Sequence, residues 1–124
     1  GRWHDLVHSS GSGQMDAYNA AFRWYAQEFA YFLTQLDSVS DGAESLLANT
    51  LVLWISEFGN GAIHSSVNLP IVLAGGLGGR LKTGRHLAFD GRSTNDLFVT
   101  ILNLFGADDR QFGLLELNKS PLGL

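Results

Sequence analysis

Apolar residues recur at three- and four-residue steps through residues 15–36. Tyr18, Phe22, Tyr25, Phe29, Phe32, Leu33 and Leu36 thereby share one face of a predicted helix. The opposite face is not a plain solvated one. Trp24 and Tyr31 fall about 180–200° round from Phe22, at about 100° per residue, beside Ala17 and Ala20. Gln27 and Glu28 lie on the same side, so this second face is mixed. Half of the aromatics in the chain (Trp 3, Tyr 3, Phe 8) sit between Tyr18 and Phe32. A helix apolar on two sides calls for protein on both, supplied by the rest of its own polypeptide or by a companion chain.

Two later runs have a different pattern. Residues 50–55, Thr-Leu-Val-Leu-Trp-Ile, are β-branched and aromatic without alternation, as expected of a strand covered on both faces. Residues 69–74 repeat the pattern, with Pro70 near the start, where a missing N–H is tolerated. The two are expected to be neighbouring central strands. Between the long helix and the first strand, residues 37–42 read as a loop and 43–49 as a short helical turn. Ser93-Thr94-Asn95-Asp96 has the form of a capping box. It opens a helix to Phe105 with Leu97, Ile101, Leu104 and Phe105 inward, and Gly106 closes it. Residues 80–86 suggest a small hairpin, and the tail to Leu124 is irregular. Helix, strand, strand, helix predicts an α/β layered fold with a largely parallel sheet.

Composition narrows the classes of function. At 124 residues the chain has the size of one domain, and 45% hydrophobic against 16% charged residues is globular material. A net charge of -4 argues against a nucleic-acid surface. Without cysteine there is no disulfide, thiolate metal site or Cys nucleophile. No apolar run approaches the roughly 20 residues of a transmembrane segment. The start at Gly1-Arg2-Trp3, with no signal peptide in view, is expected of a fragment or processed piece.

Several motifs fail as sites. Gly75-Gly76-Leu77-Gly78-Gly79 has neither dinucleotide nor P-loop spacing, since Leu81 holds the final glycine position and Lys82 follows no glycine. A tight turn or close backbone packing accounts for it. Arg80, Lys82, Arg85 and His86 form a basic run, read as a solvated face or an anion-steering rim. Neither Ser12 nor Ser56 sits in a Gly-x-Ser-x-Gly elbow. What remains is His4, His8, Glu57 and His64, the ligand types divalent metals take when thiolate is absent. His4 and His8 are one helical turn apart. Glu57 follows the first strand directly, with His64 in the same loop, and in parallel α/β sheets such strand ends carry sites. The alternative is capping or solvated histidines.

The segment "SLLANTLVLWISEFGNG" resembles the "GLLDNTLVVFTSDHGE" stretch of sulfatases and other members of the alkaline-phosphatase superfamily. "NLPIVLAGGLGG" resembles their Pro-containing strand, and "STNDLFVTILNLFGAD" the helix near the C-terminal end of their core. A closer resemblance is to an exported bacterial family, the fifteen-fifty-two domain of unknown function. It spans nearly all 124 residues: a His-x-x-x-His segment, a tryptophan-bearing helix like "NAAFRWYAQEFAYFLTQL", "NLPIVLAGG", "LKTGRHL", "NDLFVTILNLFG" and a closing "FG…SPLGL".

The resemblance implies that residues 1–124 are the C-terminal portion of a single alkaline-phosphatase-like α/β domain, exported to the periplasm or beyond. It implies a divalent metal held by His4, His8, Glu57 and His64. Phe58 departs from the superfamily, which has His or Asn there, and Asn60 replaces an Asp of the closer family. Three imidazoles with one carboxylate suit zinc, whereas calcium would require six to eight oxygens. Gly59 and Gly61 would let the loop fold back, with Ser56 or Asn68 orienting an imidazole. Two functions fit. One is metal-dependent hydrolysis of phosphate or sulfate esters, with a nucleophile outside this chain. The other is a non-catalytic exported metal-binding or surface-assembly protein.

Overall fold

The structure, a computed structural model, describes residues 3–8 and 12–124. Gly1-Arg2 of the predicted processed start and Gly11 of the polar segment after His8 lie outside them. The chain divides into two compact units, Gly1–Leu77 and Gly78–Leu124.

In the first unit, the five-residue helix α1 (Trp3–Val7) precedes α2 (Ser12–Ser38), which matches the periodic segment and extends it at both ends. α2 stops where short polar side chains turn back on the backbone: the Ser38 hydroxyl donates to Gln35 O at 2.8 Å. Asp37 then accepts from the Ser45 hydroxyl at 2.7 Å, tying the helix end to the following turn. That turn is a minimal antiparallel hairpin, β1 (Ser40–Asp41) and β2 (Glu44–Ser45), leading into α3 (Leu46–Asn49). Ser45 caps α3 by accepting from Ala48 N.

The apolar runs form β3 (Val52–Ile55) and β4 (Ile71–Ala74). They are neighbours, but they pair antiparallel, Val52 opposite Ala74 and Ile55 opposite Ile71. The largely parallel layered sheet expected from the sequence is therefore wrong. Among the described residues there are two antiparallel two-stranded sheets and no parallel pair. The strands are not covered on both faces either, because Val72 is exposed and every other residue is only half-buried. The error has a physical source. A non-alternating run signals partial contact on both faces, and a two-stranded ribbon with one helix beside it gives that without a wide sheet. Here Trp54 meets Phe29 of α2, with ring centroids 4.9 Å apart. After β4 the chain is pinned to the first unit, as Gly76 N and Leu77 N donate to Leu47 O and Thr50 O. That close packing is the role of the glycine run.

The second unit is built on α4 (Thr94–Leu104). Ser93 caps it by accepting from Asn95 N, and Gly106 (φ 93°) closes it in a Schellman arrangement. In that closure Ala107 N donates to Leu102 O and Gly106 N to Asn103 O. Asp96 does not close the expected capping box. Its carboxylate is buried, accepting from Arg92 at 2.8 Å and from the backbone of Lys119 and Ser120. Burial alone would raise this carboxyl, but the bonds from Arg92, Lys119 and Ser120 outweigh it and hold the group below its ordinary value. Thr100 continues the anchor, its hydroxyl donating to Asp96 O and accepting from Leu122 N. The irregular tail is thus fastened along α4. The basic stretch 80–86 contains no strand, so the expected hairpin is absent. Arg85 instead donates twice to Lys82 O.

Candidate functional site

Two segments about fifty residues apart in sequence meet in the first unit. On one side is α1, carrying His4, with His8 immediately after it. The i, i+4 spacing stacks the two imidazoles with centroids 4.5 Å apart, edge to face. On the other side is the loop that leaves β3. It folds back as predicted, closed by Gly59 N and Asn60 N donating to Ser65 O and by Ser65 N donating to Asn60 O. Inside this closure a single 3-10 turn, Gly61–Ile63, begins at Asn60, whose side chain accepts from Ala62 N at 3.1 Å. His64 ends the turn in the left-handed region, φ 51° and ψ 37°. Histidine adopts that conformation more readily than most side chains, yet it still carries a cost of order 1 kcal/mol.

Gly61 explains how the two segments come so close. A Cβ at that position would stand 2.5 Å from Val7 Cγ1, a distance real side chains do not tolerate. Gly59 has a parallel reason, since a Cβ there would lie 2.1 Å from Val67 O. The approach lets His8 Nδ1 donate to Ala62 O at 3.0 Å. A carbonyl can only accept, so the proton sits on Nδ1, and in the neutral ring the Nε2 lone pair is left available. His64 completes the group, with its ring centroid 4.9 Å from His8 and 6.3 Å from His4. Phe58 packs against His64, with ring centroids 5.1 Å apart.

These side chains line an open cleft of about 270 Å³. Its polar wall comprises His4, His8, His64, Glu57 and Ser56. Its apolar wall includes Val7, Phe58, and Tyr18 and Phe22 of α2. Of the six residues singled out by sequence, five therefore share one cleft. Asn68, at φ 55°, is not among the lining residues. The orienting role assigned to Ser56 or Asn68 belongs, for His8, to the Ala62 carbonyl. Ser56 instead accepts from Phe58 N at 3.4 Å and shapes the start of the loop. A backbone acceptor on an alanine leaves no mark in the sequence, so nothing there could have pointed to it.

The donor set can be tested against zinc. Rings sharing a tetrahedral zinc, with nitrogens at about 2.0–2.1 Å, have centroids roughly 5 Å apart. The His4–His8 and His8–His64 pairs meet that value, and His4–His64 is wide. Correspondingly, no three His, Asp or Glu side chains among the described residues already stand around one point as ligands do. By residue type alone, three imidazoles and a carboxylate are donors that a divalent ion of the zinc class takes. No helix among the described residues is long and apolar enough to cross a membrane. No protein-family model, curated protein or solved structure matches the chain.

Proposed function

We propose that this protein binds a divalent metal of the zinc class through His4, His8 and His64, with Glu57 as the fourth donor. One observation carries the proposal: three imidazoles from α1 and a distant loop lie with centroids between 4.5 and 6.3 Å of one another. All three residues are exposed, so the rings that this packing brings together remain open to a ligand. The hydrogen bond from His8 to Ala62 supports it by holding the tautomer a metal ligand needs. In this role Glu57 brings the one negative charge that offsets part of the ion's, and Phe58 limits the swing of the His64 ring.

Calorimetric titration of zinc into the protein at neutral pH tests this. One ion should bind per chain, and His64→Ala or His8→Ala should weaken binding by about a hundredfold or more. Cobalt in place of zinc should give the visible absorption of a tetrahedral nitrogen-oxygen site. Binding unchanged by either substitution would end the proposal.

Hydrolysis of phosphate or sulfate esters is the more specific reading, supported by the resemblance and by the openness of the cleft. A metal there would polarise an ester oxygen. The antiparallel sheet withdraws the fold from its support. Because the nucleophile of that reading lies outside this chain, the result it requires is zinc-dependent binding of phosphate or sulfate by the protein, lost in His64→Ala.

A further inference from the structure

The face of α2 turned away from Phe22 has an order that its mixed composition hides. Ala17, Trp24, Tyr31 and Ser38 recur every seven residues, and Ala20, Gln27 and Thr34 fall three positions after the first three of them. Set in a heptad frame these are the a and d positions, with Ala17, Ala20, Trp24 and Tyr31 apolar or aromatic and Gln27, Thr34 and Ser38 polar, and all seven are exposed. Trp24 and Tyr31 are the largest of them, 54% and 62% exposed. Beside this seam Arg23 occupies a g position and Glu28 the e position of the next heptad. Neither makes an ion pair or hydrogen bond among the described residues.

We infer that this seam pairs α2 with α2 of a second copy of the chain, side by side and parallel. The charges argue for the second copy and for the orientation. In a parallel coiled coil a g residue meets the e residue five positions on in the partner, so Arg23 of each copy faces Glu28 of the other, twice by symmetry. The antiparallel alignment that seats Trp24 over the other copy's Ala20 sets Arg23 against Arg23 instead, and like charges oppose it. Gln27 adds to the specification. In the parallel, in-register pair the Gln27 amides of the two copies meet at a central d layer and can hydrogen-bond each other. Trp24 and Tyr31 supply the apolar area, while Ala17 and Ala20 narrow the seam toward its N-terminal end. A seam of about three heptads is short, so the dimer dissociates on dilution.

Sedimentation equilibrium of the whole chain, with charge variants, tests the inference. The mass should rise with concentration from one chain toward two. Arg23→Glu, and separately Glu28→Arg, should each weaken self-association by about tenfold, since two attractions become two repulsions. The double substitution Arg23→Glu with Glu28→Arg should restore it, and the two single variants mixed should associate with each other. Restoration also shows that each variant is folded. A mass of one chain at every concentration would overturn the inference. So would a dimer indifferent to Arg23→Glu, or a double variant no better than the singles.

Discussion

Five of the six side chains buried among the described residues, Leu81, Asp96, Leu97, Val99 and Thr100, belong to the shorter unit, Gly78–Leu124. The longer unit, Gly1–Leu77, buries Leu77. Yet the longer unit holds most of the aromatic residues, and Phe22, Trp24, Tyr25, Tyr31 and Phe32 are all at least 40% exposed. Apolar content therefore does not decide which part of this chain has a core. What decides it is closure. α4 is wrapped by a tail that its own polar side chains fasten: Asp96 and Thr100 take the tail's N–H groups, and Asn95 donates to Phe112 O. α2 is a long rod with a two-stranded ribbon and two short helices beside it, too little to cover its circumference. The imidazole cluster sits in the looser unit, held by the Gly61–Val7 approach and the His8–Ala62 bond. A ligand has most to contribute where the protein alone contributes least.

The largest effect that would break this contrast is expected at Asp96. Asp96→Asn keeps the shape but replaces one acceptor oxygen with a donor, facing Arg92 or the tail's N–H groups. Destabilisation of the second unit by about 3 kcal/mol is expected, in the range for disrupting a buried pair. The pH dependence follows from the direction of the shift. A carboxyl held below its ordinary value gives stability that is fully present above the unfolded value of 3.8. That stability is lost as the pH falls through the lower folded value. Chemical denaturation monitored across this acid range should show the wild type losing a stabilising contribution that Asp96→Asn lacks. Parallel curves for the two proteins would remove Asp96 as the anchor.

Zinc should act on the other unit alone. At free zinc a hundredfold above the dissociation constant, binding should add about 2.7 kcal/mol of protection. Amide exchange should slow at residues 56–66 and around His8, and remain unchanged along residues 94–104. Slowing spread evenly over both units would mean that the ion does not act on the first unit alone.

Much of this was legible from residue types and spacing. Periodicity located α2 and α4, and the donor chemistry of His4, His8, Glu57 and His64 brought out side chains that do share a cleft. Strand direction was not legible, because Leu51 to Ile55 and Ile71 to Ala74 carry no alternation to show which face meets protein. Nor was the weakness of the first unit. A heptad seam and a core-facing stripe on one helix look alike as letters, and burial alone separates Trp24 from Phe29. The buried Asp96 was hidden by its own motif: in Ser93-Thr94-Asn95-Asp96 the acidic residue reads as a cap, while the two backbone N–H groups it accepts from lie more than twenty residues on.

A smaller effect tests the close approach of α1 to the loop. Gly61→Ala places a methyl against Val7 Cγ1 and should push His8 and His4 away from His64. Zinc affinity should fall by about ten- to a hundredfold, as for other changes behind a ligand shell. Val7→Ala in the same chain should recover most of it by clearing the space. Affinity that stays at the wild-type value in Gly61→Ala would mean the cluster does not depend on this contact.

The smallest expected effect is a difference near zero, and it bears directly on the two kinds of packing. Phe29→Ala removes a whole ring from the contact with Trp54, while Val99→Ala removes two methyl groups. Ordinarily the aromatic truncation costs more, about 3–5 kcal/mol in a core. Here Phe29 and Trp54 are only half-buried, so water already reaches part of both rings and truncation recovers little hydration. Val99 is 1% exposed on the inner side of α4, and its loss leaves a cavity that the fastened tail cannot close. The two effects should therefore converge at about 2 kcal/mol each in denaturant unfolding, read by Trp54 fluorescence for Phe29→Ala and by helix signal for Val99→Ala. If Phe29→Ala costs clearly more, α2 and β3 enclose a true core, and the first unit is less dependent on a ligand or a second copy than its exposure implies.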